Sequence, residues 1–217
     1  MEDRPADEKY QLDPLVNPPV NLTFKPYLLL LLFLVAAPLP GTVYSQSQTW
    51  KVDMEASEFG FTVKHLGVFN VDGRFTEGSG FLVYDELSPD SMKADLVLEV
   101  KSVNTYNTLR DNELRGDDFL DSRRYPTIEF VSTAIEASEV EGFLLQVVGR
   151  MKMYGETRDI VIPINLILDD SGELITITSE FQLHRHDFDM DFGFATDPMI
   201  GERVDVKVKL VARAKAM

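Results

Sequence analysis

The sequence predicts an all-β domain of short antiparallel strands, a sandwich or a barrel, interrupted by one short helical insertion. From Thr49 onward apolar and polar residues alternate with a period of two, as they do in strands with one buried face. Glycine- and proline-containing turns cut those runs into short lengths. One segment, 104–125, lacks the alternation altogether.

In chain order, residues 58–65 place Phe59, Phe61 and Val63 on one face, against Glu58, Gly60, Thr62 and Lys64. Strands follow at 71–76 and 79–85, divided by Gly78. Ser88-Pro89-Asp90 turns the chain into 92–101, where Met92, Ala94, Leu96, Leu98 and Val100 alternate with Lys93, Asp95, Glu99 and Lys101, and Val97 alone breaks the pattern. In the non-alternating segment, Leu109 and Leu114 are read as one helix face, Asn107 as the cap and Gly116 as the end, which predicts a helix over 108–115. A turn then carries Phe119 inward, and Pro126, which cannot continue a helix, starts the next strand. Strands at 127–135, 143–152, 158–168 and 175–183 are separated by Glu141-Gly142, Gly155 and Asp170-Ser171-Gly172. The last strand is the most regular, with Val204, Val206, Val208 and Leu210 against Asp205, Lys207 and Lys209. There is no internal repeat, and nothing in 46–217 reads as a linker, so this region is expected to form one domain.

Residues 1–45 are expected to be an N-terminal extension and signal peptide. The run YLLLLLFLVAA at 27–37 follows Lys25 and precedes Pro38, Pro40 and Gly41. It is the length of a secretory apolar core and short of the roughly 20 residues that span a bilayer. Val43-Tyr44-Ser45 is an acceptable cleavage site, giving a periplasmic or secreted protein. Residues 1–24 carry five acids and two basic residues, with prolines at 5, 14, 18 and 19, which is unlike a signal's positive leading region. A translation start near Val20 or Leu22 would account for it.

Composition narrows the function. The 217 residues hold 21 Lys and Arg against 36 Asp and Glu, a net charge of −15. So acidic a surface repels nucleic acid and anionic headgroups. With no cysteine there is no disulfide, thiolate nucleophile, thiolate metal site or lipidated Cys, and the core alone must hold the fold.

The stretch TLRDNELRGDDFLDSRRYPTIEF (108–130) closely resembles the signature of the YceI-like family, through Arg110-Asp111, Leu114-Arg115, Asp118-Phe119, Tyr125-Pro126, Ile128 and Phe130. FTVKHLGVFNVDGRF (61–75), GRMKMYGETRDIVIP (149–163) and LHRHDF (183–188) resemble further family blocks, and with Trp50-Lys51-Val52-Asp53 the likeness covers 49–213. The resemblance implies an eight-stranded antiparallel lipocalin-like barrel with a short helical insertion, linked to binding of polyisoprenoids and other amphiphiles. The family's last block usually has a small polar residue after the Arg and a Gly after the Phe. This chain has His186 and Asp189 there, so the loop after Arg185 is expected to be shaped differently.

An eight-stranded barrel is just wide enough to fill with side chains or to hold one small ligand. The inferred inward set is Phe59, Phe61, Val63, Leu96, Leu98, Phe130, Val147, Ile162, Ile164, Ile177, Phe181, Val206 and Val208, with no charge among them. Such a lining suits an alkyl or isoprenoid chain, at about 0.8 kcal/mol per buried CH₂. Alternation by itself does not distinguish a cavity from a filled core. His65, in phase with Phe59, Phe61 and Val63, is read either as a handle for a ligand headgroup or as a histidine bonded to backbone. Arg110 and Arg115 are candidate headgroup partners, although pinning of the 104–125 insertion is the favoured role for Arg110 and Asp111. His184 and His186 would share a face on a strand, but without a third ligand they read as a rim pair and not as a metal site.

No catalytic motif, cofactor motif or metal set is present in the sequence, so no enzyme is expected. The expected partner is a polyisoprenoid, quinone or fatty-acid-like small molecule held by a carrier or sequestering protein. Membrane contact is expected only where the leader stays uncleaved, and a homodimer is left open. Two other readings compete: a filled, non-binding interaction barrel with an acidic surface, and a metal protein or enzyme using His184 and His186.

Overall fold

The computed structural model describes residues 48–85 and 87–214. The expected leader, its cleavage site and the extension before it lie outside the described residues. The strands are β1 (Gln48–Val52), β2 (Glu58–His65), β3 (Phe69–Phe75), β4 (Gly78–Tyr84), β5 (Lys93–Glu99), β6 (Val103–Asn104), β7 (Thr127–Ala137), β8 (Leu145–Met153), β9 (Glu156–Leu168), β10 (Leu174–His184) and β11 (Ile200–Ala214). The helix α1 spans Thr108–Leu114.

All strand pairings are antiparallel. They run β1-β4-β5-β7-β8-β9-β10-β11 and return to β1 through Trp50↔Ala214 and Val52↔Ala212, a closed eight-stranded barrel. Closure removes the exposed edges that an open sheet would present.

The three remaining strands continue members of that ring. β11 pairs with β1 at 212–214 and with β2 at 200–209, so β1 and β2 are two lengths of one wall. Ser57 bridges the break between them: its Oγ donates to the Asp53 carbonyl (2.6 Å) and accepts from the Val211 amide (2.9 Å). Across the barrel wall the same break separates β3 from β4 and β5 from β6. There the Ser102 hydroxyl donates to the Glu99 carbonyl (2.7 Å) and accepts from the Thr76 amide (3.1 Å). The expected strand 92–101 therefore ends at Glu99, with a 3-10 turn over Val100–Ser102.

One end of the barrel is filled. Trp50, Leu82, Ile175, Leu210 and Ala212 are almost wholly buried in a single apolar cluster there. At the other end β6 pairs with β3 over only two residues, and 105–126 occupies the chain between β6 and β7. The Asn107 side chain caps α1 by accepting from the Leu109 and Arg110 amides. Gly116 ends it, its amide bonded to the Glu113 carbonyl. Phe119 turns inward as expected, but Leu109 points to solvent at 76% exposure, and only Leu114 faces the barrel. The two leucines are five residues apart, which places them about 140° apart around a helix.

Candidate functional site

The inward faces enclose two cavities. The larger, about 290 Å³, lies at the end covered by the insertion and is partly open to solvent. The smaller, about 100 Å³, lies deeper, towards the filled end. Of the inward residues read from alternation, Phe61, Val63 and Val206 line the larger cavity. Leu96, Phe130, Val147, Ile162, Ile164, Ile177 and Phe181 line the smaller, and Phe59, Leu98 and Val208 line both.

Other walls lay outside the inward set read from alternation. Val71, Ile128, Leu183 and Val204 share the inward phase of their strands and were within its reach. Phe119 and Phe192 come from irregular segments, and their rings meet at 5.2 Å between centroids. Nothing in the periodicity points to Phe192.

Four polar side chains reach the larger cavity: His65, Arg110, Glu113 and Arg185. His65 stands at the end of β2, half-buried. Arg110 uses Nε and Nη2 on the hydroxyl and carbonyl of Thr105, both at 2.8 Å. Its Nη1 makes no hydrogen bond among the described residues.

Thr105 in turn donates its amide (2.7 Å) and hydroxyl (2.6 Å) to the buried Asp111 carboxylate. Burial pushes the Asp111 pKa up, but those two bonds, with Arg115 and Arg110 nearby, outweigh it and hold the group below its usual range. Arg115 is a correction to the headgroup reading. Its guanidinium donates to the Lys101 and Val103 carbonyls, both at 2.7 Å, and it is not among the residues lining the cavity. It staples α1 to β6.

Arg185 carries the largest unread feature of the site. Its side chain is 3% exposed, and it donates to the carbonyls of Met190, Asp197, Ile200 and Gly201 and to the Asp197 carboxylate. Phe192 stacks on it at 4.9 Å. The bond from Arg185, then the Phe192 amide, lower the Asp197 pKa to about 2. One buried cation therefore clasps the loop 189–200 against the cavity.

The residues that depart from the family pattern lie beside it. Asp189 sits in the left-handed region (φ 54°), where glycine is the natural occupant, so that an aspartate takes up a glycine-like backbone turn. His184 and His186 do not share a strand face, because β10 ends at His184 and a 3-10 turn begins at Arg185. His186 Nε2 instead approaches Asp197 at 3.3 Å. Among the described residues, no group of three or more His, Asp or Glu side chains is placed to hold a metal ion.

The family model for the YceI-like domain matches residues 50–212. A UPF0312 protein of Pseudomonas aeruginosa is 30% identical over 140 residues, 62% of this chain and 72% of the relative. Protein YceI of Escherichia coli is 31% identical over 120 residues, 54% of this chain and 61% of the relative. Among solved structures, BcnA of Burkholderia cenocepacia superposes with a TM-score of 0.67 at 23% identity, over 74% of this chain and 98% of BcnA. A polyisoprenoid binding domain from Saccharophagus degradans gives 0.61 at 19% identity, over 78% and 100%. These two likenesses establish the fold. The Campylobacter jejuni YCEI protein gives 0.58 at 25% identity, over 71% and 90%.

Proposed function

This chain belongs to the YceI-like family, and from that premise we propose that it is an exported binding protein that holds the apolar chain of a polyisoprenoid-like amphiphile inside the barrel. The carrying observation is the 290 Å³ cavity, walled almost entirely by hydrocarbon, bordered by α1 and partly open to solvent. The solved Saccharophagus degradans neighbour, a polyisoprenoid binding domain, supports the same class of ligand. Export rests on the apolar run and cleavage site at 27–47.

The chemistry is that of binding, with no catalytic step. Burying about fifteen CH₂ equivalents yields about 12 kcal/mol. Association and ordering costs of about 4 kcal/mol or more leave roughly micromolar affinity or weaker. On this reading Arg110, through its free Nη1, and His65 meet the ligand's polar head, since both line the cavity. A quinone tail or a fatty acyl chain would meet the same wall.

The test is lipid extraction and native mass spectrometry of the purified protein, followed by titration with farnesol and displacement of a fluorescent apolar probe. Co-purification of an amphiphile, or saturable farnesol uptake lost in Val206→Arg, supports the reading. A folded protein that carries no amphiphile and takes up no prenol overturns it. Sequencing the N-terminus of the protein recovered from outside the cytoplasm tests export, with cleavage after Ser45 as the expected result.

A further inference from the structure

The two cavities meet at one level of the barrel. Five side chains face both: Phe59 of β2, Leu98 of β5, Ile128 of β7, Met151 of β8 and Val208 of β11. Phe59 is registered with Val208, and Leu98 with Ile128. β5, β7 and β8 are consecutive in the ring, and β11 with β2 lies across from them. The five side chains therefore reach in from opposite walls and form a layer between the larger space and the smaller.

Below the layer the surroundings accept hydrocarbon only. Ser179 is the one polar side chain lining the smaller cavity, and its hydroxyl is spent on the Pro163 carbonyl at 2.6 Å. Below that lies the filled end around Leu82 and Leu210.

We propose that this layer is the floor that sets how long an apolar chain the barrel takes, with Met151 as its movable member. The inference rests on reading the barrel as an amphiphile binder. Ile128 and Val208 are β-branched and restricted at χ1. Phe59 is a large ring, 6% exposed, carried on β2 between its partners β11 and β3. Met151 is unbranched, with three rotatable bonds and no polar demand, so it swings at the least cost. With Met151 across the layer, a chain entering past Phe119 and Phe192 stops after filling the larger cavity. With it removed, about 100 Å³ more lies in line.

The experiment measures affinities for geraniol, farnesol and geranylgeraniol with wild type, Met151→Ala, Met151→Phe and Val208→Ala. Both alanine variants are expected to move the preference to a longer prenol and to tighten its binding about tenfold, equivalent to about 1.4 kcal/mol or roughly two more buried methylenes. Met151→Phe should move the preference to a shorter prenol, with geraniol affinity nearly unchanged. Val208→Ala, on the opposite wall, tests the same floor should Met151→Ala fail to fold. Variants that bind prenols with the wild-type length preference overturn the floor and leave the binding reading intact. A wild type that binds none of the three overturns the binding reading itself.

Discussion

Replacing Arg185 by Met tests whether one buried cation fastens the loop 189–200 to the barrel. In the native chain the guanidinium satisfies four carbonyls and the Asp197 carboxylate. Methionine fills much of the volume but leaves those acceptors without their donor, including a carboxylate that is only 22% exposed. Breaking a buried pair from one side costs about 3–5 kcal/mol, or about 6–20 °C in Tm for a domain of this size. Asp197→Asn keeps an oxygen for the Phe192 amide and should cost less, about 1–3 kcal/mol. The double variant should recover about 2 kcal/mol relative to the sum of the two, because neither partner is then left alone. Urea titration read by the fluorescence of the single, buried Trp50 gives all three numbers. The pH dependence is a second readout. The Asp197 pKa is depressed from 3.8 to about 2, so its contribution is complete above pH 3.8 and disappears as pH falls through 2. That gap is worth at most about 2–3 kcal/mol, and about 1 with the solvent near the carboxylate taken into account. A cost below about 1 kcal/mol for Arg185→Met, or strictly additive variants, would refute the clasp.

Two further changes probe the segments around the cavity. Asp189→Gly should raise stability by up to about 1 kcal/mol in the same titration, because glycine relieves the left-handed conformation at the expense of only a long, exposed contact with Arg158. Asn107→Ala removes the acceptor for two helix amides and should cost about 1 kcal/mol, with faster hydrogen exchange concentrated in 105–126.

The barrel was legible wherever alternation was long. β2, β10 and β11 read directly, since Phe59, Ile177 and Val208 must face one way for the wall to be buried. The breaks were legible only when a turn residue marked them. Gly78 separated β3 from β4, whereas Val100 stays in phase through the 3-10 turn and concealed the end of β5. β1 was too short to show a period, with only Trp50 and Val52 facing in. The pairing of His184 with His186 assumed that the strand continues, and one turn at Arg185 moves them apart. Arg185 itself was read only as part of a family-like block. A charged residue inside an apolar pattern looks like a surface residue until its acceptors, five to sixteen residues away, are known.

Alternation encodes direction and not volume, which is why the inward set was readable and the void was not. The filled end is where all eight ring strands contribute side chains to one cluster. At the other end β6 stops after two residues, and the wall is completed by Arg110, Leu114 and Phe119 of the insertion and by Phe192 of the clasped loop. A helix and two irregular segments meet the strands less densely than an eighth strand would, and space is left. The charges that hold those segments are consumed in doing so: Asp111 by Thr105, Arg115 by two carbonyls, and Arg185 by the loop. On the proposed reading, His65, Glu113 and one nitrogen of Arg110 are the polar groups of the larger cavity left to meet a polar head. A site with so few polar handles discriminates headgroups weakly, so on the proposed reading the length of the apolar chain becomes the property by which ligands are told apart.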